Sequence, residues 1–503
     1  MTNPLFDALM GPHQGSDRTF LILPDGATLS YDQIDRLSAQ LANLLTAQGV
    51  KPGDRVAVQV EKSPEALALY LACARAGAVF LPLNTAYTPA EVAYFIGDAQ
   101  PALVVCDPGR EGQRQAFMGD SLATLMTLAD NGDGSLMEAA KALPDDQTPV
   151  DRGPDDLAAI LYTSGTTGRS KGAMLSHDNL LSNAQVLADY WRFDQDDVLL
   201  HALPIFHTHG LFVASNVILL AGGAMIWLPK FDAVQAMEFL PRATSMMGVP
   251  TFYTRLLDQP GFTRELAGHM RLFTSGSAPL LAETHRAFED RTGQRILERY
   301  GMTETNMNTS NPYDGERRAG TVGFALPGVE LRIMADGSEV SQGEIGTIEV
   351  RGRNVFQGYW QMPDKTAEEL GPDGWFITGD LGQIDAGGYV TIVGRGKDLI
   401  ITGGFNVYPK EVEEVIDDLP GVLESSVIGL PHPDFGEGVV AVIAREKGAD
   451  LDADAIIAGL SDKLAKFKQP KRVIVVDELP RNTMGKVQKA ALRSEHAGMF
   501  TDK

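Results

Sequence analysis

The sequence predicts an α/β protein, because helix and strand signals alternate up to Cys106 and resume after Gly172. Ser30 and Gln33 form a capping box ahead of apolar residues at helical spacing, and Gly49 ends that helix. Further helices are indicated at 64–76 and 89–99, and strand-like apolar runs occupy 55–60, 78–83 and 102–106. Such an alternation is typical of a parallel sheet covered by helices.

The second half of the chain moves from this pattern to an all-β pattern and then to an α+β pattern. Strand signals continue at 198–200, 224–228, 245–249 and 272–274. Between 320 and 394, short strands are separated by Gly, Asp and Pro turns, which indicates an all-β region that we interpret as a small barrel. A compact α+β unit follows from Asp398, and the glycine-rich residues 394–398 are the best boundary. Residues 107–156 are rich in Gly, Asp and Pro and are interpreted as a loosely structured connection.

Charge and composition argue against several partners and locations. The formal net charge of −23 argues against nucleic acid or an anionic membrane as the main partner. Cys73 and Cys106 lie in apolar surroundings and offer neither a metal-site spacing nor a disulfide framework, so buried thiols are expected. Because the N-terminus lacks the pattern of a signal peptide, we expect a cytoplasmic protein. The uncharged run 211–228 is interpreted as a buried helix, a glycine turn and a buried strand rather than a membrane span.

Residues 162–172 have the composition of a phosphate-binding loop. Glycines let backbone N–H groups point toward one anion, Ser and Thr hydroxyls flank them, and Lys171 lies near the end. A surface loop of the same composition is the alternative. A Walker-type loop is the weaker interpretation, because Lys171 does not directly follow Gly168, and Gly172 stands where a magnesium-binding hydroxyl is required. The neighbouring apolar residues predict strand, loop and strand, with a helix beginning only at Ser176.

Four further segments follow this loop in order, namely 300–304 (YGMTE), 374–380 (GWFITGD), 394–398 (GRGKD) and 480–486 (PRNTMGK). Together with the loop they resemble the adenylate-forming superfamily of acyl-CoA synthetases, peptide-synthetase adenylation domains and firefly-luciferase-like enzymes. The resemblance covers essentially the whole chain. It implies a large N-terminal adenylation domain (1–394), built from flavodoxin-like α/β subdomains and a small β-barrel. It also implies a small, mobile α+β C-terminal domain (395–503) that carries the catalytic lysine.

The resemblance implies an acid–CoA ligase that works in two half-reactions. A carboxylate first attacks the α-phosphate of ATP to give an acyl-adenylate and pyrophosphate, and the thiol of CoA then displaces AMP. ATP, Mg²⁺ and CoA are the implied co-substrates, with no tightly bound prosthetic group. By resemblance, the β- and γ-phosphates would bind Thr163, Ser164, Gly165, Thr166, Thr167, Gly168 and Lys171. The rest of ATP would contact Gly276, Ser277, Ala278, Glu298, Arg299, Tyr300, Gly301, Met302, Thr303, Asp380, Arg395 and Lys486.

The resemblance implies that three residues act in catalysis. Thr303 would touch the α-phosphate, and Glu304 would hold Mg²⁺, a hard cation that prefers oxygen ligands. A solvated carboxylate is the alternative for Glu304. Lys486 would bridge the substrate carboxylate and the α-phosphate as negative charge develops. Acetylation of Lys486 would remove its charge, so a lysine acetyltransferase is a candidate partner.

The second half-reaction is implied to use another face of the C-terminal domain. In the family this domain rotates about the residue that matches Lys397, which withdraws Lys486 from the site. Gly403, Gly404 and Phe405 would then approach the pantetheine tunnel, where glycines let the backbone come close to a thin thiol arm. A turn before the helix near Pro409 is the alternative for these glycines.

Two arginines direct the choice of acid toward a short dicarboxylate. Arg255 and Arg299 match positions that line the family's acyl pocket, and a second carboxylate cannot enter such a pocket unpaired. The run 298–308 resembles malonyl-CoA and methylmalonyl-CoA synthetases, so malonate or methylmalonate is the expected acid. The remaining lining is expected from His207, Thr208, Ser277 and Met307. An ion pair of Arg255 with Asp258, and a salt bridge of Arg299 within the adenine pocket, are the alternatives.

Three other functions are compatible with parts of this pattern. The nearest is the same chemistry on a monocarboxylate, such as an aryl or a short- or medium-chain acid. Another is an adenylation protein that loads a carrier protein in trans. An ATP-binding regulatory protein without turnover is disfavoured, because Lys486, Glu304 and Asp380 are all present.

Overall fold

The computed structural model describes residues 2–163, 170–403, 405–460, 463–482 and 485–500. Six of the predicted site residues therefore lie outside the described residues: Ser164, Gly165, Thr166, Thr167, Gly168 and Gly404.

The described residues form α-helices and β-strands that alternate through most of the chain. The helices are α1 (Pro4–Met10), α2 (Tyr31–Ala47), α3 (Pro64–Ala76), α4 (Pro89–Ala99), α5 (Arg114–Met118), α6 (Ser135–Ala140), α7 (His177–Tyr190), α8 (Asn216–Ala221), α9 (Ala233–Phe239), α10 (Pro250–Leu257), α11 (Arg264–Ala267), α12 (Ala282–Thr292), α13 (Pro363–Glu369), α14 (Pro409–Asp417), α15 (Ala453–Gly459) and α16 (Lys489–Glu495). The strands are β1 (Thr19–Ile22), β2 (Thr28–Ser30), β3 (Arg55–Gln59), β4 (Val79–Pro82), β5 (Leu103–Cys106), β6 (Thr124–Thr127), β7 (Leu157–Thr163), β8 (Lys171–Ser176), β9 (Val198–His201), β10 (Ala224–Trp227), β11 (Ser245–Gly248), β12 (Leu272–Ser275), β13 (Leu297–Met302), β14 (Asn306–Ser310), β15 (Phe324–Ala325), β16 (Val329–Ala335), β17 (Ser338–Glu339), β18 (Gly346–Gly352), β19 (Phe376–Ile384), β20 (Val390–Arg395), β21 (Ile400–Thr402), β22 (Phe405–Val407), β23 (Val422–His432), β24 (Gly436–Arg445) and β25 (Arg472–Val476). A π-helix spans His209–Ser215.

A six-stranded sheet carries the two strands on either side of the predicted phosphate loop. Its order is β6-β5-β3-β4-β7-β8, and all pairs are parallel except β7 with β8. The antiparallel pair places Thr163 opposite Lys171. Ser176 then caps α7 by accepting a hydrogen bond from the backbone N–H of Asn179. The two predicted strands and the helix that follows Ser176 are confirmed.

A nine-stranded sheet supplies most of the remaining site. Its order is β15-β14-β13-β12-β11-β9-β10-β1-β2, and the six strands from β13 to β1 run parallel. Residues that follow the carboxyl ends of parallel strands meet at one edge of the sheet, where ligands bind in such folds. Ser275, the last residue of β12, pairs with Glu298 in β13, so Gly276 lies beside Arg299. His207 follows β9 at the same edge and precedes the π-helix.

The all-β region, which we interpreted as a small barrel, forms one five-stranded antiparallel sheet. Its five strands have the linear order β17-β16-β18-β19-β20, with antiparallel neighbours throughout. All residues from β16 to β20 are described, and the two edge strands, β17 and β20, do not pair with each other. The strand and turn pattern specifies antiparallel neighbours, but it does not specify whether the sheet closes. Asp380 in β19 and Arg395 in β20 are cross-strand partners.

The C-terminal domain is smaller and has its own sheet and its own cores. Strands β22-β21-β24-β23 form the sheet, and β25 pairs with β24 in parallel. One face packs against α14 through Val412 and Ile416. The opposite face is covered by Leu479 and Leu492. The predicted class, a large N-terminal α/β domain followed by a smaller α+β domain, is confirmed.

The predicted loose connection at 107–156 is wrong. This segment contains β6, which extends the six-stranded sheet beside β5, and the short helices α5 and α6. These elements are four to six residues long, so their signals were hidden among the Gly, Asp and Pro turns.

The uncharged run 211–228 has the structure that we predicted. It forms the end of the π-helix, α8, a left-handed turn at Gly222, and the buried strand β10. Among the described residues, no helix is long and apolar enough to cross a membrane.

Candidate active site

Tyr300, Asp380 and Arg395 form one hydrogen-bonded group next to the five-stranded sheet. The Tyr300 hydroxyl donates to Asp380 Oδ2 at 2.5 Å, and Arg395 Nε lies 2.7 Å from Asp380 Oδ1. Asp380 is buried, so these two partners hold its carboxylate in one orientation. An ionised carboxylate has about four acceptor positions, so Asp380 can accept further hydrogen bonds from a ligand hydroxyl.

Glu304 and Lys171 both contact Tyr359, Glu304 at its hydroxyl and Lys171 at its ring. The Tyr359 hydroxyl is 3.0 Å from Glu304 Oε1 and 2.5 Å from Glu369 Oε2. Lys171 Nζ lies 3.1 Å from both carboxylate oxygens of Glu369 and 4.0 Å from the centre of the Tyr359 ring. Burial raises the pKa of Glu304, which is 5% exposed. The residue predicted for Mg²⁺ and the lysine predicted for phosphate therefore belong to one cluster.

Lys486 reaches this cluster from the C-terminal domain. A tight turn fixes its backbone: Asn482 N–H donates to Lys486 O at 2.9 Å, and Lys486 N–H donates to Asn482 Oδ1 at 3.0 Å. Surrounding protein and the charge of Arg395 lower the pKa of Lys486, and Asp380 and Glu304 oppose that shift. Lys486 is among the exposed residues, so its side chain is accessible to solvent.

Arg299 is a buried cation with donors that lack partners. Its side chain lies at the sheet edge and is 4% exposed, and Nε and Nη2 have no hydrogen-bond partner among the described residues. Burial lowers the pKa of Arg299 to about 9, so its guanidinium is charged at neutral pH. A buried charge without a counter-charge is costly, and each such group in a folded protein requires an explanation.

Two neutral histidines lie beside Arg299. Burial, Lys486 and Arg299 lower the pKa of His207 to about 3, and burial and Arg299 lower the pKa of His209 as well. His207 Nδ1 and His209 Nε2 are buried without a partner in the described part of the chain, whereas His209 Nδ1 lies 3.1 Å from Ser277 Oγ. Arg299 and the two imidazoles thus form a site rich in donors, with the chemistry of an anion pocket.

Glycine and strained residues shape this pocket. A Cβ on Gly276 would lie 2.3 Å from Arg299 Nη1, so only glycine allows the guanidinium its position. Ser277 (φ 69°) and Asn306 (φ 52°) adopt left-handed conformations, which are found most often where function requires them. A Cβ on Gly301 would lie 1.8 Å from Asn306 O, so the backbones of β13 and β14 approach closely there.

The other predicted residues have varied positions. Arg255 is exposed on α10, four residues after Thr251, whose Oγ1 would lie 3.5 Å from a Cβ on Gly485. Glu298 is buried and its carboxylate accepts a hydrogen bond from the Gly320 N–H and lies 3.2 Å from His285 Nδ1, so its side chain is committed to the core. Thr163 ends β7, Thr208 precedes the π-helix, Ala278 follows β12, and Met302, Thr303 and Met307 lie in or next to β13 and β14.

Sequence reasoning missed three residues of the site, namely His209, Tyr359 and Glu369. His209 follows His207 in the same short motif, and the repeated histidine was the available signal. Tyr359 and Glu369 lie in a segment without a phosphate-binding pattern, and Glu369 is one of several charged residues in 364–369. They join the site because residues 357–360 pair with the edge of β8, which local sequence does not encode.

The predicted hinge and CoA residues lie where the C-terminal domain begins. Lys397 is exposed in the 3-10 turn Gly396–Asp398. Gly403 has a φ of 58° and donates its N–H to Phe435 O at 2.8 Å. Phe405 is 56% exposed and stacks on Phe467 with ring centres 4.7 Å apart.

Comparison with known proteins identifies the family. Residues 11–360 match the AMP-binding enzyme family, and residues 411–486 match the AMP-binding enzyme C-terminal domain. The chain belongs to the AMP-binding enzyme family. An indoleacetate–CoA ligase from Aromatoleum aromaticum is 37% identical over 92% of this chain and 92% of its own length. A malonate–CoA ligase from Arabidopsis thaliana is 32% identical over 97% of this chain and 88% of its own length.

Two solved structures of one relative, one with ATP and one without, allow the arrangement of the chain to be compared. The crystal structure of ATP-bound MatB from Rhodopseudomonas palustris is 59% identical over all of both chains, with a TM-score of 0.98. The structure of apo MatB from the same organism has the same identity and coverage, with a TM-score of 0.85. The present chain therefore resembles the ATP-bound arrangement more than the apo arrangement.

Proposed function

We propose that this chain is an ATP-dependent, AMP-forming acid–CoA ligase that acts on a short dicarboxylic acid, malonate or methylmalonate. The observation that carries the proposal is the buried Arg299 guanidinium, whose Nε and Nη2 lack partners among the described residues. The relative at 32% identity supports the choice of acid, because it is a malonate–CoA ligase.

A second carboxylate explains the chemistry of the Arg299 pocket. Arg299 would pair with the non-reacting carboxylate, and the neutral imidazoles of His207 and His209 would donate to the same end of the acid. Hydrogen bonds to charged groups are worth roughly 1.5–3 kcal/mol each, enough to hold a small diacid in one orientation. Thr208, Arg255, Ser277 and Met307 would complete the lining.

The first half-reaction would use the cluster around Glu304 and Asp380. Asp380, supported by Arg395, would accept the ribose hydroxyls, and Tyr300 with residues 276–278 would form the adenine pocket. Thr303 would contact the α-phosphate, and Thr163 and Lys171 the leaving phosphates. Lys486 would stabilise the charge that develops between the acid and the α-phosphate, as preorganised charges do in other active sites.

Glu304 fits a magnesium ion. It is a buried carboxylate beside Lys171, and Mg²⁺ commonly takes one or two carboxylates together with substrate phosphates. Within the described residues no group of three or more His, Cys, Asp or Glu side chains forms a metal site, so phosphate oxygens and water would supply the other ligands. When bound, Mg²⁺ would neutralise part of the polyphosphate charge.

The second half-reaction would require the C-terminal domain to turn. We place the division at 394/395 with Lys397 as the hinge, which agrees with the exposed 3-10 turn at that position. Gly403 and the exposed ring of Phe405 would then face the pantetheine arm of CoA. A cytoplasmic location and a lysine acetyltransferase that modifies Lys486 stay predictions of the sequence.

The decisive experiment is a pyrophosphate-release assay with malonate, methylmalonate, acetate and benzoate, followed by mass spectrometry of the acyl-CoA product. We expect malonate or methylmalonate to exceed acetate by about 10²-fold in kcat/KM, because acetate leaves the donors of Arg299 unpaired. Rapid turnover of benzoate with inert malonate would overturn the diacid.

A monocarboxylate ligase is the second candidate. The relative at 37% identity is an indoleacetate–CoA ligase, so the same fold serves aryl acids. The same acid panel separates the two candidates, because an aryl-acid enzyme would leave malonate inert.

A further inference from the structure

Lys171 and Glu369 form an ion pair at the exit of the predicted phosphate loop. Lys171 Nζ is 3.1 Å from both Glu369 oxygens, and the two side chains are 17% and 23% exposed. Partial burial shields the pair from water, so it is stronger than an ordinary surface pair. Lys171 is therefore already neutralised by a protein carboxylate at the place where a polyphosphate would need its charge.

The chain positions Glu369 for this contact through several hydrogen bonds. Gln357 N–H donates to Met174 O at 2.9 Å, and Trp360 N–H donates to Gly172 O at 2.7 Å, so this segment lies along the edge of β8. Helix α13 follows and ends at Glu369. The contact with Lys171 is therefore built into the backbone pairing of the two segments.

We propose that Glu369 is a placeholder for pyrophosphate, a carboxylate that competes with the β- and γ-phosphates for Lys171 and so promotes release of the leaving group. The proposal rests on the proposed function in one respect, namely that Lys171 binds the polyphosphate. Pyrophosphate is held through its phosphates alone, whereas ATP is also held through the group around Asp380. Competition for Lys171 therefore weakens retention of the product while the adenosine contacts still hold the substrate.

Glu369 can exchange Lys171 for other partners without becoming an unpaired anion. Lys365 Nζ lies 2.9 Å from its Oε1, and the Tyr359 hydroxyl lies 2.5 Å from its Oε2. Burial alone would raise the pKa of Glu369, but hydrogen bonds from Tyr359, Lys365 and Lys171 outweigh it and lower the pKa. Glu369 thus stays ionised after Lys171 turns to a phosphate, and it can take the lysine back when pyrophosphate leaves.

The test compares two neighbouring glutamates on α13. Glu369→Gln keeps the size and the hydrogen-bond acceptor for Tyr359 but removes the charge that competes for Lys171. Glu368→Gln is the matched control, because Glu368 lies 2.7 Å from Lys365, is 64% exposed in its side chain and makes no contact with Lys171. Calorimetric titration of pyrophosphate with Mg²⁺ into the full chain, without acid or CoA, gives the affinity of each variant. Melting temperatures of the three proteins verify that each is folded.

We expect Glu369→Gln to bind pyrophosphate about fivefold more tightly than the parent, and Glu368→Gln to stay within about twofold. The rate of pyrophosphate dissociation should fall in Glu369→Gln by a similar factor. Unchanged or weaker binding in Glu369→Gln, or equal tightening in both variants, would overturn the placeholder. A parent that binds no pyrophosphate would overturn the phosphate role of Lys171 as well. Failure of the diacid panel alongside tighter binding in Glu369→Gln would leave the placeholder supported and remove only the acid.

Discussion

Replacing Arg299 by methionine separates recognition of a diacid from the chemistry of adenylation. The substitution keeps an elongated apolar stem and removes Nε and Nη2, the donors that lack partners among the described residues. Two hydrogen bonds to a carboxylate are worth roughly 3 kcal/mol or more together, which corresponds to about 10²-fold in kcat/KM. Acetate has no second carboxylate, so its kcat/KM should change by less than about threefold.

The assay is pyrophosphate release with malonate and acetate at saturating ATP, and Arg255→Met is the comparison variant. Arg255 is exposed on α10, so we expect its loss to lower kcat/KM for malonate less than the loss of buried Arg299 does. The melting temperature provides a separate readout. Because Arg299 is buried and its Nε and Nη2 lack hydrogen-bond partners among the described residues, Arg299→Met should melt no lower than the parent.

Equal losses of kcat/KM for malonate and acetate would refute the reasoning. Such a result would assign Arg299 to the shape of the adenine pocket, which is the alternative that its sequence position leaves open. A larger selective loss of kcat/KM for malonate in Arg255→Met than in Arg299→Met would assign the second carboxylate to Arg255 on α10.

The remaining predictions concern other parts of the site and the C-terminal domain. Gly276→Ala would place a Cβ 2.3 Å from Arg299 Nη1 and displace it, so kcat/KM for malonate should fall by about tenfold or more while acetate is less affected in the same assay. Lys486→Ala should lower the rate of adenylate formation by about 10²–10³-fold, measured by pyrophosphate release, while CoA still reacts with preformed acyl-adenylate at a comparable rate. Burial raises the pKa of Asp417 to about 7, so the folded chain loses stability as pH rises from the ordinary aspartate pKa of about 3.9 toward 7. Asp417→Asn should therefore raise the melting temperature more at pH 8 than at pH 5, and an equal effect at both pH values would contradict that pKa.

Local signals were sufficient for much of the fold. The cap at Ser30, the prolines that open α3 and α4, and the apolar strands between them each act over a few residues, and the structure reproduces them closely. The cap at Ser176 was equally informative, because it separated this hairpin from a Walker loop followed directly by a helix. Interactions within one turn or one strand determine these elements, which is why sequence alone specifies them.

Elements that depend on distant partners were less predictable. Strand β6 is only four residues long, and pairing with β5 is what makes it a strand. The shape of the five-stranded sheet is a related case, since it depends on how the edge strands lie relative to each other. Tyr359 and Glu369 reach Lys171 only because residues 357–360 align with β8.

The two candidate arginines illustrate the same limit at the level of a side chain. Arg299 lies in β13 next to the end of β12, so the parallel pairing turns it into the pocket. Arg255 lies on α10, where a rotation of one residue decides between the pocket and the surface. The resemblance nominates both positions. Only the structure shows that Arg299 is buried at the sheet edge whereas Arg255 is exposed.

The position of Lys486 links the domain arrangement to the chemistry. The ATP-bound and apo structures of MatB have the same identity to this chain, so sequence difference does not explain why their TM-scores are 0.98 and 0.85. The difference must lie in the arrangement of the backbone, and this chain has the arrangement of the ATP-bound form. In that arrangement the charges of Asp380 and Glu304 act to raise the pKa of Lys486. A Cβ on the neighbouring Gly485 would lie 3.5 Å from Thr251 Oγ1 at the start of α10. The rotation that we propose about Lys397 would break these contacts. Lys486, which forms the adenylate, would therefore leave the site before the thiol of CoA displaces AMP.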